Sequence, residues 1–239
     1  MIKVFFVGIL CLLINFASGQ DLKIELTDLN YYSDFEKKAF ESYAAQNPDY
    51  FALLLAPDET VTADQYTRWK TSFEKELGSL KLEVEAKKKN DKKVKFLYEK
   101  VHSKFLAKYE IINLFSQVFK DGIYNCVSAT GLYSLVFDYY TIPYAIQERP
   151  THVYLVAYPD NERVKIETTT PIGGYTVFDQ TFKQNYVKKL ADIKLISAVE
   201  YQTKSVDELF DKFFFNNESI DIKKLVGLQY LNAGLYYLD

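Results

Sequence analysis

The chain has 239 residues, 48% of them hydrophobic and 16% aromatic, enough to bury a substantial core and too apolar for a disordered tail. A net charge of −3 supplies no clustered basic excess, which excludes nucleic acid as a partner. Twenty Tyr and eighteen Phe stand against one Trp and one Met, so rings rather than thioethers fill the core.

Residues 1–19 read as an export signal: Lys3 gives the positive start, 4–16 are an apolar run, and Ala17, Ser18 and Gly19 are small residues suited to cleavage. The run is shorter than the roughly 20 residues a membrane span needs, and no later stretch approaches that length. The expectation is an exported protein, periplasmic or extracellular, with no transmembrane segment once the signal is removed. Cys11 lies inside the signal, which leaves Cys126 as a single thiol without an internal disulfide partner. Such a thiol in an oxidising compartment is either buried and inert or put to use. One Cys and two His are too few soft ligands for a structural zinc site, so neither metal nor cofactor is expected.

In chain order, Tyr32, Phe35, Ala39, Phe40 and Tyr43 recur at helical spacing and predict a helix over 31–46, stopped by Asn47-Pro48-Asp49. The apolar run 50–56 is too short for periodicity to separate helix from strand. Thr62 or Asp64 is placed to cap a helix over 63–89 that lines Tyr66, Trp69, Phe73, Leu77 and Leu80 along one side, with Gly78 a candidate interruption. The lysines at 87–89, 92 and 93 follow Glu83 and Glu85 and read as a solvated helix end rather than a binding patch. A further helix over 94–114 carries the stripe Val94, Leu97, Val101, Phe105, Tyr109 and Ile112. His102 has no thiol or carboxylate companion on that helix and reads as a partly exposed or locally bonded structural residue.

Residues 115–120 run into the turn signal Asp121-Gly122, and Tyr124-Asn125-Cys126 follows. Ala129, Leu132, Tyr133, Val136, Phe137 and Tyr140 keep helical spacing, so Cys126 lies at or just before the start of a buried helix. The unpaired amides and positive dipole end of a helix start favour a thiolate and can bind an oxyanion. Thr141-Ile142-Pro143 ends this helix, and strands are expected at 144–147, 151–158 and 164–168. The polar loop 159–163 has hairpin length, so the last two strands pair antiparallel. A fold-back centred near Pro159 and Asp160 sets His152 directly opposite Glu167, and one centred a residue later makes them diagonal neighbours. Either register lets the carboxylate orient the imidazole.

Asn125-Cys126 opening an apolar helix, Thr151-His152-Val153-Tyr154-Leu155 on one strand and Ile166-Glu167-Thr168-Thr169-Thr170-Pro171 on the next resemble the transglutaminase-like superfamily, of the bacterial kind, over roughly residues 94–176. The resemblance implies an α+β fold with a papain-like core: a nucleophile helix packed on an antiparallel sheet of three or more strands, flanked by N- and C-terminal helices. It implies Cys126 as nucleophile, His152 as general base and acid, and Glu167 as the orienting carboxylate where the family usually has Asp. The Cys126 amide and a side-chain amide from Asn125 or Gln117 are the candidate oxyanion donors. The expected activity is acyl transfer from amide bonds of peptides or proteins through a thioester. Resolution by water makes a peptidase or amidase, and resolution by an amine makes a transglutaminase. The alternative is an inactive copy of the fold that holds a peptide or a partner protein.

After the strands, a helix is expected over 178–190, and Ser205 with Glu208 forms a capping box. Asp221 opens a last helix over 222–238 whose Leu225, Leu228, Leu231 and Leu235 require a partner. Residues 228–234 resemble the first half of a tetratricopeptide unit, of the kind that follows this core in relatives; no complete repeat is present. The organisation is therefore a signal over 1–19, a helical region over 20–93, the core over 94–200, and over 201–239 helices that dock on the core and are available to a protein partner.

Overall fold

Caps decide where the helices of the first third begin. In the computed structural model, which describes residues 29–170, 173–215 and 219–238, the Ser33 hydroxyl caps α1 (Asp34–Ala44), the Asp49 carboxylate caps α2 (Tyr50–Leu55), and Thr62 caps α3 (Ala63–Glu85) in a capping box with Gln65. The elements belong to the compact unit that begins at Tyr32. The export-signal stretch, with Cys11, lies outside the described residues. The ambiguous run 50–56 resolves as helix: Asp49, itself held by Tyr66 Oη at 2.5 Å and Lys70 Nζ at 2.6 Å, starts it, and Phe51 to Leu55 are buried. Gly78 does not interrupt α3.

Two boundaries differ from expectation. α3 stops at Glu85 and α4 (Asn90–Phe105) starts anew, so the lysine-rich stretch spans a break between helices, with Lys87 Nζ 4.8 Å from the Phe96 ring centre. α4 in turn ends at Phe105 rather than 114, and Lys108–Tyr109 form β1, parallel to β2 (Ile123–Tyr124). The reason is Gly122, whose carbonyl accepts from the amides of both Ala107 and Lys108 and draws the chain out of the helix. Its φ of 70° and the contact of Ala107 with the place a Cβ would occupy suit glycine there. Tyr109 is consequently exposed instead of joining the stripe. Residues 115–120 form a short helix, α5 (Phe115–Lys120).

α6 (Cys126–Tyr139) is the central element, with ten of its fourteen residues buried. It packs on an antiparallel sheet made of β3 (Tyr144–Arg149), β4 (His152–Ala157), β5 (Val164–Ile166), β6 (Tyr175–Val177) and β7 (Ser219–Ile220), in the order β6-β5-β4-β3-β7. The three expected strands form the middle of this sheet. The outer two have only three and two residues, too few for alternation to register. Ile146, Val153, Leu155, Ala157, Val164 and Ile166 join the α6 side chains in the main core. The chain is thus α+β.

α7 (Gln180–Asp192), α8 (Ala198–Thr203) and α9 (Val206–Phe214) follow the sheet, and Phe178, Phe182, Tyr186, Phe210 and Phe214 build a second, ring-filled cluster between α7 and α9. α10 (Ile222–Leu238) docks on α2 and α6 through Ile222, Leu225, Val226, Gln229 and Ala233. The leucine stripe is only half matched: Leu225 is buried and Leu228 half-buried, while Leu231 and Leu235 are 62% and 47% exposed. At 3.6 residues per turn Leu231 and Leu235 fall on the side of α10 away from the face that Leu225 and Gln229 present. No helix among the described residues is long and apolar enough to cross a membrane.

Candidate functional site

The start of α6 is fixed by a buried hydrogen-bond network. Asn125 is the N-cap: its Oδ1 accepts from the Val127 and Ser128 amides at 3.0 Å each, and Ser128 Oγ accepts from the Asn125 amide at 2.9 Å. Ser128 Oγ also donates to Asn113 Oδ1, and Asn113 Nδ2 donates to the Leu114 and Ile123 carbonyls. Asn125 Nδ2 donates to the Ile111 carbonyl at 3.0 Å. These bonds tie the preceding loop and β2 to the first turn of the helix and so set the position of Cys126, its first residue. Cys126 is half-buried, and its amide donates to no acceptor among the described residues.

This changes the reading of the two side-chain oxyanion candidates. The Asn125 carboxamide is 2% exposed and occupied by the cap and the Ile111 carbonyl, and Gln117 Oε1 accepts from the Leu114 amide at 2.8 Å to cap α5. The Cys126 amide and the Gln117 Nε2 group, whose partner oxygen alone is used, are the donors left over among the described residues.

The sheet supplies the other two groups. β4 pairs with β5 through Leu155 opposite Ile166 and Val156 opposite Lys165, so the fold-back is the later of the two registers and His152 and Glu167 are diagonal neighbours. Glu167 lies one residue past β5, where its amide donates to the Gly174 carbonyl at 2.6 Å. His152 Nε2 stands 2.5 Å from Glu167 Oε1. Thr169 Oγ1 donates to the same oxygen at 3.3 Å, and Lys165 Nζ holds Oε2 at 3.1 Å. The Cys126 side chain lies close enough to the imidazole to raise its proton affinity. Nε2 is turned to the carboxylate, which leaves Nδ1 as the ring nitrogen for another partner. Thr130 of α6 bridges to Val153 O at 3.4 Å and to Thr168 Oγ1 at 3.3 Å, stitching the helix to both strands beside the triad.

The electrostatics follow from these contacts. The nearby Cys126, then the bond to Glu167, outweigh the penalty of burial and raise His152 from 6.5 to about 9. For Glu167, burial pushes upward, but His152 and Lys165 together hold the carboxyl below its ordinary value. The Tyr109 phenol is raised by burial and then by the charge of Cys126.

Reading the residues one at a time missed Lys165, Thr130 and Asn113. Lys165 was accessible in principle, since it precedes Glu167 by two on a strand and shares its face; the other two are polar side chains buried by contacts distant in sequence. Of the two expected forms of His102, partly exposed or bonded, the structure has the second: it is 7% exposed with Nε2 3.4 Å from Tyr124 Oη. It packs against the rings of Tyr98 and Tyr124, burial lowers it, and it takes no part in the triad. No metal-holding group of His, Cys, Asp and Glu occurs among the described residues.

A half-buried thiol at a helix start, an imidazole near it and a carboxylate bonded to the imidazole are the residue types that a nucleophile, base and orienter set requires. No protein-family model, no curated protein and no solved structure matches the chain.

Proposed function

We propose that the chain is an exported, cysteine-dependent acyl-transfer domain of the transglutaminase-like kind, with a papain-like core, acting on amide bonds of peptides or proteins. The observation that carries the proposal is the 2.5 Å contact of His152 with Glu167, with Cys126 near enough at the start of α6 to raise the same imidazole. His152, raised to about 9, already holds the proton given up by the thiol, and the sulfur attacks the carbonyl carbon. The Cys126 amide receives the oxyanion. Collapse of the tetrahedral intermediate breaks the C–N bond, with His152 returning the proton to the leaving amine, and a thioester forms. Water or a second amine then releases the acyl group and regenerates the thiol. Glu167 acts through His152, as a positioning residue. Its extra methylene relative to Asp suits the diagonal register, in which the carboxylate spans roughly 7–8 Å between positions rather than roughly 5 Å.

The test is alkylation of Cys126 by iodoacetamide at neutral pH, read by peptide mapping so that Cys11 is scored separately. His152→Ala is expected to slow the reaction at least about tenfold, because the base that activates the thiol is gone. Equal rates in both proteins would remove the acyl-transfer reading and leave a binding module.

A further inference from the structure

We infer that Arg149 anchors a carboxylate of the peptide substrate beside the scissile amide; the inference rests on the acyl-transfer reading of Cys126 and His152. Arg149 ends β3 and is the direct ladder partner of His152. Directly opposed residues of an antiparallel pair carry their side chains on one face with Cβ atoms roughly 5 Å apart. Alternation puts Arg149 in the row that contains His152, Tyr154, Lys165 and Glu167.

The guanidinium is held over a built floor. Its carbon lies 5.4 Å from the centre of the Tyr154 ring, and that ring is 1% exposed and stacks alongside the His152 imidazole with centres 6.3 Å apart and planes 22° apart. A guanidinium seated on an aromatic face can still donate from the edge N–H groups that Tyr154 does not engage.

Its charge is unmatched where neighbouring charges are matched. Lys165 is paired with Glu167, and Arg163 with Asp211. Arg149 is exposed and has no carboxylate within ion-pair distance among the described residues. Glu148, next to it in the chain, points to the other face of the sheet, and Glu167 is already occupied by His152, Lys165 and Thr169. An exposed, planar, unpaired fork one ladder position from the imidazole matches a carboxylate in shape and charge. Two peptide groups present that chemistry, the C-terminal carboxylate and an Asp or Glu side chain.

The experiment alkylates Cys126 in the full chain with iodoacetate and iodoacetamide, reagents of similar size and different charge. Arg149→Gln is expected to lower the ratio of iodoacetate to iodoacetamide rates about tenfold. Arg149→Lys should lower it less, and Lys212→Gln, which deletes a distant positive charge, should hold it within about twofold. A ratio that does not move in Arg149→Gln, or that moves equally in Lys212→Gln, overturns the inference. Iodoacetamide labelling that is indifferent to His152→Ala overturns the acyl-transfer reading instead, so the two failures are distinguishable. Protection of Cys126 by acetylated dipeptides then separates the sources: one with a free C-terminal carboxylate, its amide, and an amide bearing an aspartate side chain. Protection by a carboxylate-bearing peptide that weakens in Arg149→Gln supports the inference and names the source, and equal protection by the neutral amide contradicts it.

Discussion

Glu167→Gln keeps the size of the side chain and removes the charge behind the imidazole. The rise of His152 from 6.5 to about 9 corresponds to about 3 kcal/mol, at about 1.36 kcal/mol for each tenfold change in proton affinity. Cys126 contributes most and Glu167 next, against burial, and a hydrogen bond to a charged group is worth about 1.5–3 kcal/mol, so the substitution should bring His152 well back toward 6.5. The chain has only two histidines, so a ring-proton NMR titration follows two sites, and His102→Asn assigns them. One signal should titrate near 9 in the unmodified protein and move down in Glu167→Gln. The sign for stability is fixed by the same rise. His152 is protonated more readily folded than unfolded, so its contribution is fully present below about 6.5 and is lost as the pH climbs through about 9. Urea unfolding should therefore show up to about 3 kcal/mol more stability from this group at pH 6 than at pH 10, and a flatter profile in Glu167→Gln. A His152 signal titrating at or below 6.5 in the unmodified protein, or one unmoved by the substitution, would refute the reasoning.

Gly174→Ala places a methyl group against the Glu167 and Thr170 carbonyls and the Tyr98 hydroxyl. It should cost about 1–3 kcal/mol in urea unfolding and slow Cys126 alkylation, because the turn that carries Glu167 must move. Asp58 is buried against Ser116 and Lys120, and although burial pushes its carboxyl upward, Lys120, Ser116 and Thr60 hold it below its ordinary 3.8. Its contribution is present above 3.8 and lost as the pH falls through the lower folded value, so Asp58→Asn should cost about 3 kcal/mol at pH 7 and progressively less in acid. On α10, Leu225→Ala should cost about 2–5 kcal/mol and Leu231→Ala within about 0.5 kcal/mol, since one is enclosed and the other exposed. Equal losses at the two positions would contradict the docking face assigned to α10.

What the sequence disclosed depended on how local the physics was. The start of α6 at Cys126 was legible because a cap residue precedes an uninterrupted apolar helix, and α10 because Asp221 precedes another. The pairing of His152 with Glu167 was legible as a choice between two registers, since loop length alone leaves a one-residue slip open. The end of α4 was not, because Phe105, Tyr109 and Ile112 continue the helical spacing while the Gly122 carbonyl, fifteen residues beyond Ala107, decides the matter. Asn125 looked like an oxyanion donor because it adjoins the thiol; its role as a cap appears only once Ile111 and Asn113 fold against it. The face of α10 was misjudged for a similar reason. Leucines suggested the buried side, but contact with α2 and α6 selects Gln229 and Ala233 in place of Leu231 and Leu235.

Whether Cys126 attacks a carbonyl with the help of His152 is read by intact-mass analysis after exposure to p-nitrophenyl acetate. An acetyl adduct at Cys126 that hydroxylamine removes, formed at least about tenfold more slowly in His152→Ala, is the expected result. No adduct at Cys126, or one that forms at the same rate without the imidazole, would contradict it.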